Sequence, residues 1–185
     1  MFRFFVCLGL CWLVFGCTST RDSERAILAV AAAHSGDASV LKALIHLDHD
    51  LVKEEIGMTD RTLLMSAARA GNADIAGLLI GLGADVNHTD AYKHTALFDA
   101  ASKGHVPTLR ILCTEGAPSH KTLAQAFCIA VKKGNVKVVE YLLSVDASVV
   151  EGGGLCNPIK VAESEGNHEI LEILKRVLGR IKAGQ

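Results

Sequence analysis

Proline and aromatic residues are scarce, with three prolines, six phenylalanines, two tyrosines and one tryptophan in 185 residues. β-Sandwiches lean on aromatic and β-branched residues, so this shortage, beside plentiful alanine, leucine and valine, favours helices. A basic excess is missing as well. Lys and Arg total 19 against 20 Asp and Glu, a formal charge of −1, which excludes a generally basic nucleic-acid binder. Hydrophobic residues at 50% and charged residues at 21% suit a packed core and exclude disorder and a coiled coil. The length predicts one compact domain, mostly α.

Catalytic signatures are also absent. The chain has no CxxC pair, phosphate-cradling glycine loop, nucleophile elbow or HExxH helix. Its eight histidines are scattered, and only His46 and His49 have ligand-like spacing, with Asp48 and Asp50 beside them. These read as solvated loop side chains. The sequence therefore predicts a non-enzyme with no cofactor and no metal.

A bilayer-spanning apolar run is lacking too. The longest apolar stretch, Phe4 to Phe15, is broken only by Gly9 and falls short of the ~20 residues a permanent span needs. Preceded by Met1-Phe2-Arg3, it has secretory-signal proportions. Val14-Phe15-Gly16-Cys17 then places a branched residue at −3, a small one at −1 and cysteine at +1. This resembles a bacterial lipoprotein signal peptide, departing from it in Val for the commoner Leu at −3 and in bulky Phe15 at −2. The resemblance implies that residues 1–16 are removed and that Cys17 is lipidated, with acyl chains beyond the two signals that stable attachment requires. Thr18, where Asp would retain the protein, implies the outer membrane, facing the periplasm. Residues 17–23 read as lipidated cysteine and short tether. An uncleaved anchor, or cleavage near Ser19, would still export the domain. With Cys7 and Cys11 in the signal, Cys113, Cys128 and Cys156 remain. Either Cys113 and Cys128, on neighbouring helices, form a disulfide, or these are small buried thiols.

Internal repetition settles the fold class. The segment Thr62-Leu63-Leu64-Met65-Ser66-Ala67-Ala68-Arg69-Ala70-Gly71-Asn72 is answered thirty-three positions later by Thr95-Ala96-Leu97-Phe98-Asp99-Ala100-Ala101-Ser102-Lys103-Gly104-His105. An apolar stripe such as Ile75, Leu78, Leu79 and Leu82 follows, then Gly83-Ala84-Asp85. Gly36, Gly71, Gly104, Gly134 and Gly166 recur at spacings of 35, 33, 30 and 32. These segments resemble ankyrin repeats. The resemblance implies an all-α solenoid of about five helix-turn-helix repeats with short β-hairpin loops, near 24–56, 57–89, 90–119, 120–151 and 152–178, and a tail at 179–185. The Thr-Pro-Leu-His pattern is incomplete, since Leu63 and Ala96 replace the proline and Met65 and Phe98 the histidine, so packing is expected in place of that histidine's polar link. His105 stands where Gly-His is common in such repeats and reads as structural. One repeat cannot bury both its faces, so stacking builds a single core. Gly152-Gly153-Gly154 reads as a loose connector, or as a mobile binding loop.

In ankyrin proteins the loop tips and the exposed side of the first helices bind other proteins. Residue by residue, the resemblance places Met58, Thr59, Arg61, Arg69 and Ala70 on that surface, then Ala91, Tyr92, His94, Ser102 and Lys103, then Lys121, Thr122, Ala124, Lys132 and Lys133, and finally Cys156, Ser164 and Glu165. Cations dominate this set, which implies an acidic protein partner; the competing reading is that they keep the groove soluble. Tyr92 is the expected anchor. The function implied is a monomeric, lipid-anchored, protein-binding module of the envelope. Either it is an immunity-type inhibitor of a toxin acting in the periplasm, or it is an accessory or scaffold for an envelope enzyme such as a periplasmic catalase.

Overall fold

The computed structural model describes residues 19–154 and 156–183. The signal-peptide segment 1–16 and the lipidation position Cys17 lie outside the described residues. Among the described residues the chain forms ten α-helices. These are α1 (Ser19–Ser35), α2 (Ala38–Leu47), α3 (Leu63–Ala70), α4 (Ala73–Gly81), α5 (Ala96–Lys103), α6 (Val106–Glu115), α7 (His120–Lys133), α8 (Val136–Val145), α9 (Pro158–Ser164) and α10 (His168–Lys182). Short 3-10 helices cover His49–Val52 and Ala147–Gly154. No helix among the described residues is long and apolar enough to cross a membrane.

The helices pair in sequence, and the first helix of each pair stacks on the first helix of the next, from α1 through α3, α5 and α7 to α9. The second helices α4, α6, α8 and α10 make the other layer. The array is an all-α solenoid, as the repeat pattern predicts.

Each first helix starts and stops for a local reason. Thr62, Thr95, Ser119 and Asn157 are N-caps whose side chains accept from the backbone N–H three residues on, of Met65, Phe98, Thr122 and Lys160. At the other end of α3, Gly71 takes φ +83°, and a Cβ there would stand 2.7 Å from His105 Nδ1. The residue after each such glycine then reaches back to the preceding repeat. Asn72 Nδ2 donates to the carbonyls of Ala33 (2.8 Å) and His34 (2.9 Å), and Asn135 Nδ2 to those of Ala101 (2.7 Å) and Ser102 (3.2 Å). Asn167 Nδ2 donates to Val131 O at 2.8 Å, and His105 Nε2 lies 3.3 Å from Arg69 O. Carbonyls at the ends of α1, α3, α5 and α7 are thus each met by a side chain of the next repeat, which fixes the stacking register. His105 is structural, as its position implied.

Between the layers lies one core. Ala67, Ala68, Ala100, Ala101, Ala126 and Ala130 are fully buried and let the first helices approach closely, while Leu79, Leu109, Leu112, Leu142 and Phe127 fill the space behind them. Met65 is buried with them, so packing does replace the usual histidine in that repeat.

Several expectations are corrected. Residues 19–23, read as a tether, open α1, because a polar stretch also suits a helix's first turns. α10 runs to Lys182, into the expected tail, since its buried stripe of Ile170 and Leu174 continues through half-buried Val177 and Leu178. The triple glycine ends the 3-10 helix Ala147–Gly154 and is no loose connector. The loops carry little β-pairing, with one antiparallel bridge, Ile56 to Arg61, among the described residues. Side chains hold them instead. Asp90 Oδ1 accepts from the N–H groups of Tyr92 (2.9 Å) and His94 (2.8 Å), and Asn87 Oδ1 accepts from Ser119 N and Thr122 Oγ1, both at 3.0 Å. Only Gly116 to Ser119 join α6 to α7, which leaves no room for a hairpin.

Candidate partner-binding groove

Loop tips and the open side of the first helices face a groove with two recesses. The first, of about 560 Å³, is lined by Thr59, Arg61, Arg69, Asp90, Tyr92, His94, Phe98, Asp99, Ser102 and Lys103. The structure thereby brings together seven of the residues that the repeat register singles out: Thr59, Arg61, Arg69, Tyr92, His94, Ser102 and Lys103. The second, of about 320 Å³, lies between repeats three, four and five and takes in Tyr92, Lys93, His94, Phe98, Gln125, Cys128, Ile129, Lys132, Cys156 and Val161.

An aromatic shelf divides them. His94 lies on Phe98 with ring centroids 3.9 Å apart and planes 5° from parallel, and Tyr92 follows at 6.0 Å from His94. Asp90 sets this shelf, because its two backbone hydrogen bonds fold the loop that carries Tyr92 and His94 over α5. Phe98 is therefore groove surface, a correction to the expectation that it simply packs in place of a histidine.

Arg61 is also corrected. Its guanidinium is tied to Asp90 (3.2 Å) and to Asp99, and its side chain keeps 21% of its exposure. A docking cation in the sequence reading, it is here a cross-repeat clamp holding two buried carboxylates. Sequence reasoning missed Asp90 and Asp99 because nothing in the repeat register marks them as facing a cation from the preceding loop. The groove's positive excess is accordingly smaller. Within the two recesses it rests on Arg69, Lys93, Lys103 and Lys132, all exposed.

The remaining residues separate. Met58 is 95% exposed at a loop tip and lines neither recess. Lys121, in the first turn of α7, borders a different hollow with Asn87 and Thr95. Thr122 and Ala124 are buried and thus removed from the contact surface, Thr122 by its bonds to Asn87 and Ser119. Lys133 is exposed at the end of α7, outside both recesses.

The cysteine pairing differs from the one considered. Cys128 bonds to Cys156, twenty-eight residues on, with Cα atoms 6.3 Å apart. Cys113 is free. The physical reason is facing: Cys128 lies on the groove side of α7, whereas Cys113 sits on α6 in the other layer, beside Tyr141 of α8. Burial pushes the Cys113 thiol up to about 11 and also raises the Tyr141 hydroxyl. Near the fifth repeat, the Ser148 hydroxyl, donating at 2.6 Å, holds Asp146 below the usual carboxylate range.

No group of three or more His, Cys, Asp or Glu side chains that could hold a metal occurs among the described residues. Asp48, beside His46 and His49, is occupied in capping the 3-10 helix, accepting from Asp50 N at 3.2 Å.

A family model described as "Ankyrin repeats (3 copies)" matches residues 28–122. Inversin of Homo sapiens is 39% identical over 87 residues, which is 47% of this chain and 8% of inversin. Inversin of Danio rerio is 39% identical over 74 residues, 39% of this chain and 7% of that protein. The ankyrin repeat and KH domain-containing protein mask-1 of Caenorhabditis elegans is 29% identical over 160 residues, 83% of this chain and 6% of its own length. The chain thus spans less than a tenth of the length of these relatives.

Proposed function

Because the chain belongs to the ankyrin-repeat family, we propose that it is a non-enzymatic protein-binding module that holds an acidic partner in its groove. The observation that carries this reading is the groove itself, in which an exposed aromatic shelf stands between a cation-rimmed recess and an apolar one. Arg69 and Lys103 attract and orient the partner, and Tyr92, 67% exposed, supplies contact area at low entropic cost. The module acts as a monomer on the bacterial outer membrane, facing the periplasm and anchored through lipidated Cys17. The signal-like stretch ending Val14-Phe15-Gly16-Cys17 supports export, and so does the Cys128–Cys156 disulfide, which suits an oxidising compartment. Of the two roles open to such a module, occlusion of a toxin's active site makes fullest use of a groove. Scaffolding of an envelope enzyme is the other.

The test expresses the chain with its own N-terminal segment, alongside Arg69→Glu/Lys103→Glu and Cys17→Ser variants. Incorporation of a palmitate analogue into the parent and its loss in Cys17→Ser are expected, together with co-purification of an acidic protein that the charge-reversed variant fails to retain. Equal recovery by both groove forms would remove the charge argument. Stoichiometric loss of the partner's activity identifies an inhibitor, and undiminished activity a scaffold.

A further inference from the structure

We propose that the recess between repeats three, four and five is the anchor subsite of the groove, receiving one large apolar side chain, of the phenylalanine or leucine class, from an acidic segment of the partner protein. The proposal rests on the protein-binding reading above and assigns its specificity. Repeat stacking should bury apolar side chains between layers, yet Phe98, Ile129 and Val161 remain half-buried and turn toward this recess. The His94–Phe98 stack forms one flat wall, onto which an aromatic ring or a branched aliphatic group can lie. In the same lining, the Cys128–Cys156 disulfide bolts the start of the fifth repeat to α7. That bond keeps the recess open before any partner arrives, which lowers the ordering cost of binding.

Size and charge choose the occupant. At about 320 Å³ the recess sits at the bottom of the range for small-molecule sites, so it suits a protruding side chain better than a cofactor. Its rim carries Lys93 and Lys132, and Lys103 stands beyond the shelf in the adjoining recess. Carboxylates flanking the inserted side chain would meet these ammonium groups, while a basic segment would be repelled.

The experiment uses the full chain in lipid nanodiscs and three fluorescein-labelled heptapeptides, read by anisotropy at fixed salt: an acidic one with central phenylalanine, the same with central serine, and a basic one with central phenylalanine. The acidic phenylalanine peptide is expected to bind at least about tenfold tighter than either of the others. Ile129→Asp should erase the preference for phenylalanine over serine, and Ile129→Trp, which fills the recess with apolar atoms and keeps the fold's chemistry, should erase it as well. Lys132→Glu should weaken both acidic peptides alike. Equal binding of the two acidic peptides would overturn the anchor while leaving the cationic groove standing. A preference that survives both Ile129 variants, or no acidic binding at all, would overturn it too.

Discussion

Arg61 shows what one side chain does in this array. Its guanidinium neutralises Asp90 and Asp99, both nearly devoid of solvent, and so joins the second repeat to the third. Removing it takes the guanidinium from both, leaving Asp90 with two backbone N–H groups and the His94 ring at 3.8 Å. Arg61→Ala should therefore lower unfolding free energy by about 3 kcal/mol, because stranding a buried charge costs far more than the pair itself contributes. Urea titration measures this, and Arg69→Ala, at an exposed site, should move the midpoint within error. From sequence alone the two arginines look alike, each in a position that the repeat register turns toward the groove. Their difference comes from tertiary partners, and no local pattern encodes those. Cys113 carries a second residue-scale prediction. Burial favours its neutral thiol, so this contribution is complete below the ordinary thiol value of 9.0 and is lost as pH rises toward about 11. Alkylation by iodoacetamide at neutral pH should be slow in the folded chain and fast in urea; equal rates would show the thiol to be open.

At the scale of the helices, much was legible. Glycines at near-constant spacing mark where each first helix stops, and the apolar stripes mark each second helix. The Asn or His after each glycine from Gly71 onward was visible as a residue, but its use as a cap for the preceding repeat needed the stacking geometry. The cysteine pairing failed at this scale for a definite reason. Adjacency along the chain brought Cys113 near Cys128, whereas the layer that each helix face joins decides which thiols meet. The disulfide that does form closes a loop across the last two repeats, with a sequence separation of 28. Reduction should cost about 3.5 kcal/mol by the loop-entropy account. Hydrogen exchange should place that loss mainly in α9 and α10, since an array of repeats transmits stability chiefly between neighbours. Uniform loss across α3 to α6 would contradict this.

The whole molecule is a stack whose second helices complete the core and whose first helices and loops leave a groove open. The register along the chain located seven residues of the larger recess. It did not reveal the shelf or the apolar recess beside it, because His94 meets Phe98 of α5 only when Asp90 folds the loop that carries His94, and Val161 joins Ile129 in the recess lining from another repeat. Charge read from a residue list also overstated the groove's positive character, since Arg61 faces two carboxylates. What remains is a cationic rim around an aromatic centre, the surface on which the proposed acidic partner would dock. Site-specific photo-crosslinking in the producing cell tests this most directly, with a photoreactive amino acid placed singly at Ser102 and Tyr92 in the groove and at Arg110 and Lys137 on the second helices. The account predicts a single crosslinked protein from the groove positions and none of it from α6 or α8. The same protein captured from Arg110 or Lys137, with nothing at Ser102 or Tyr92, would contradict it.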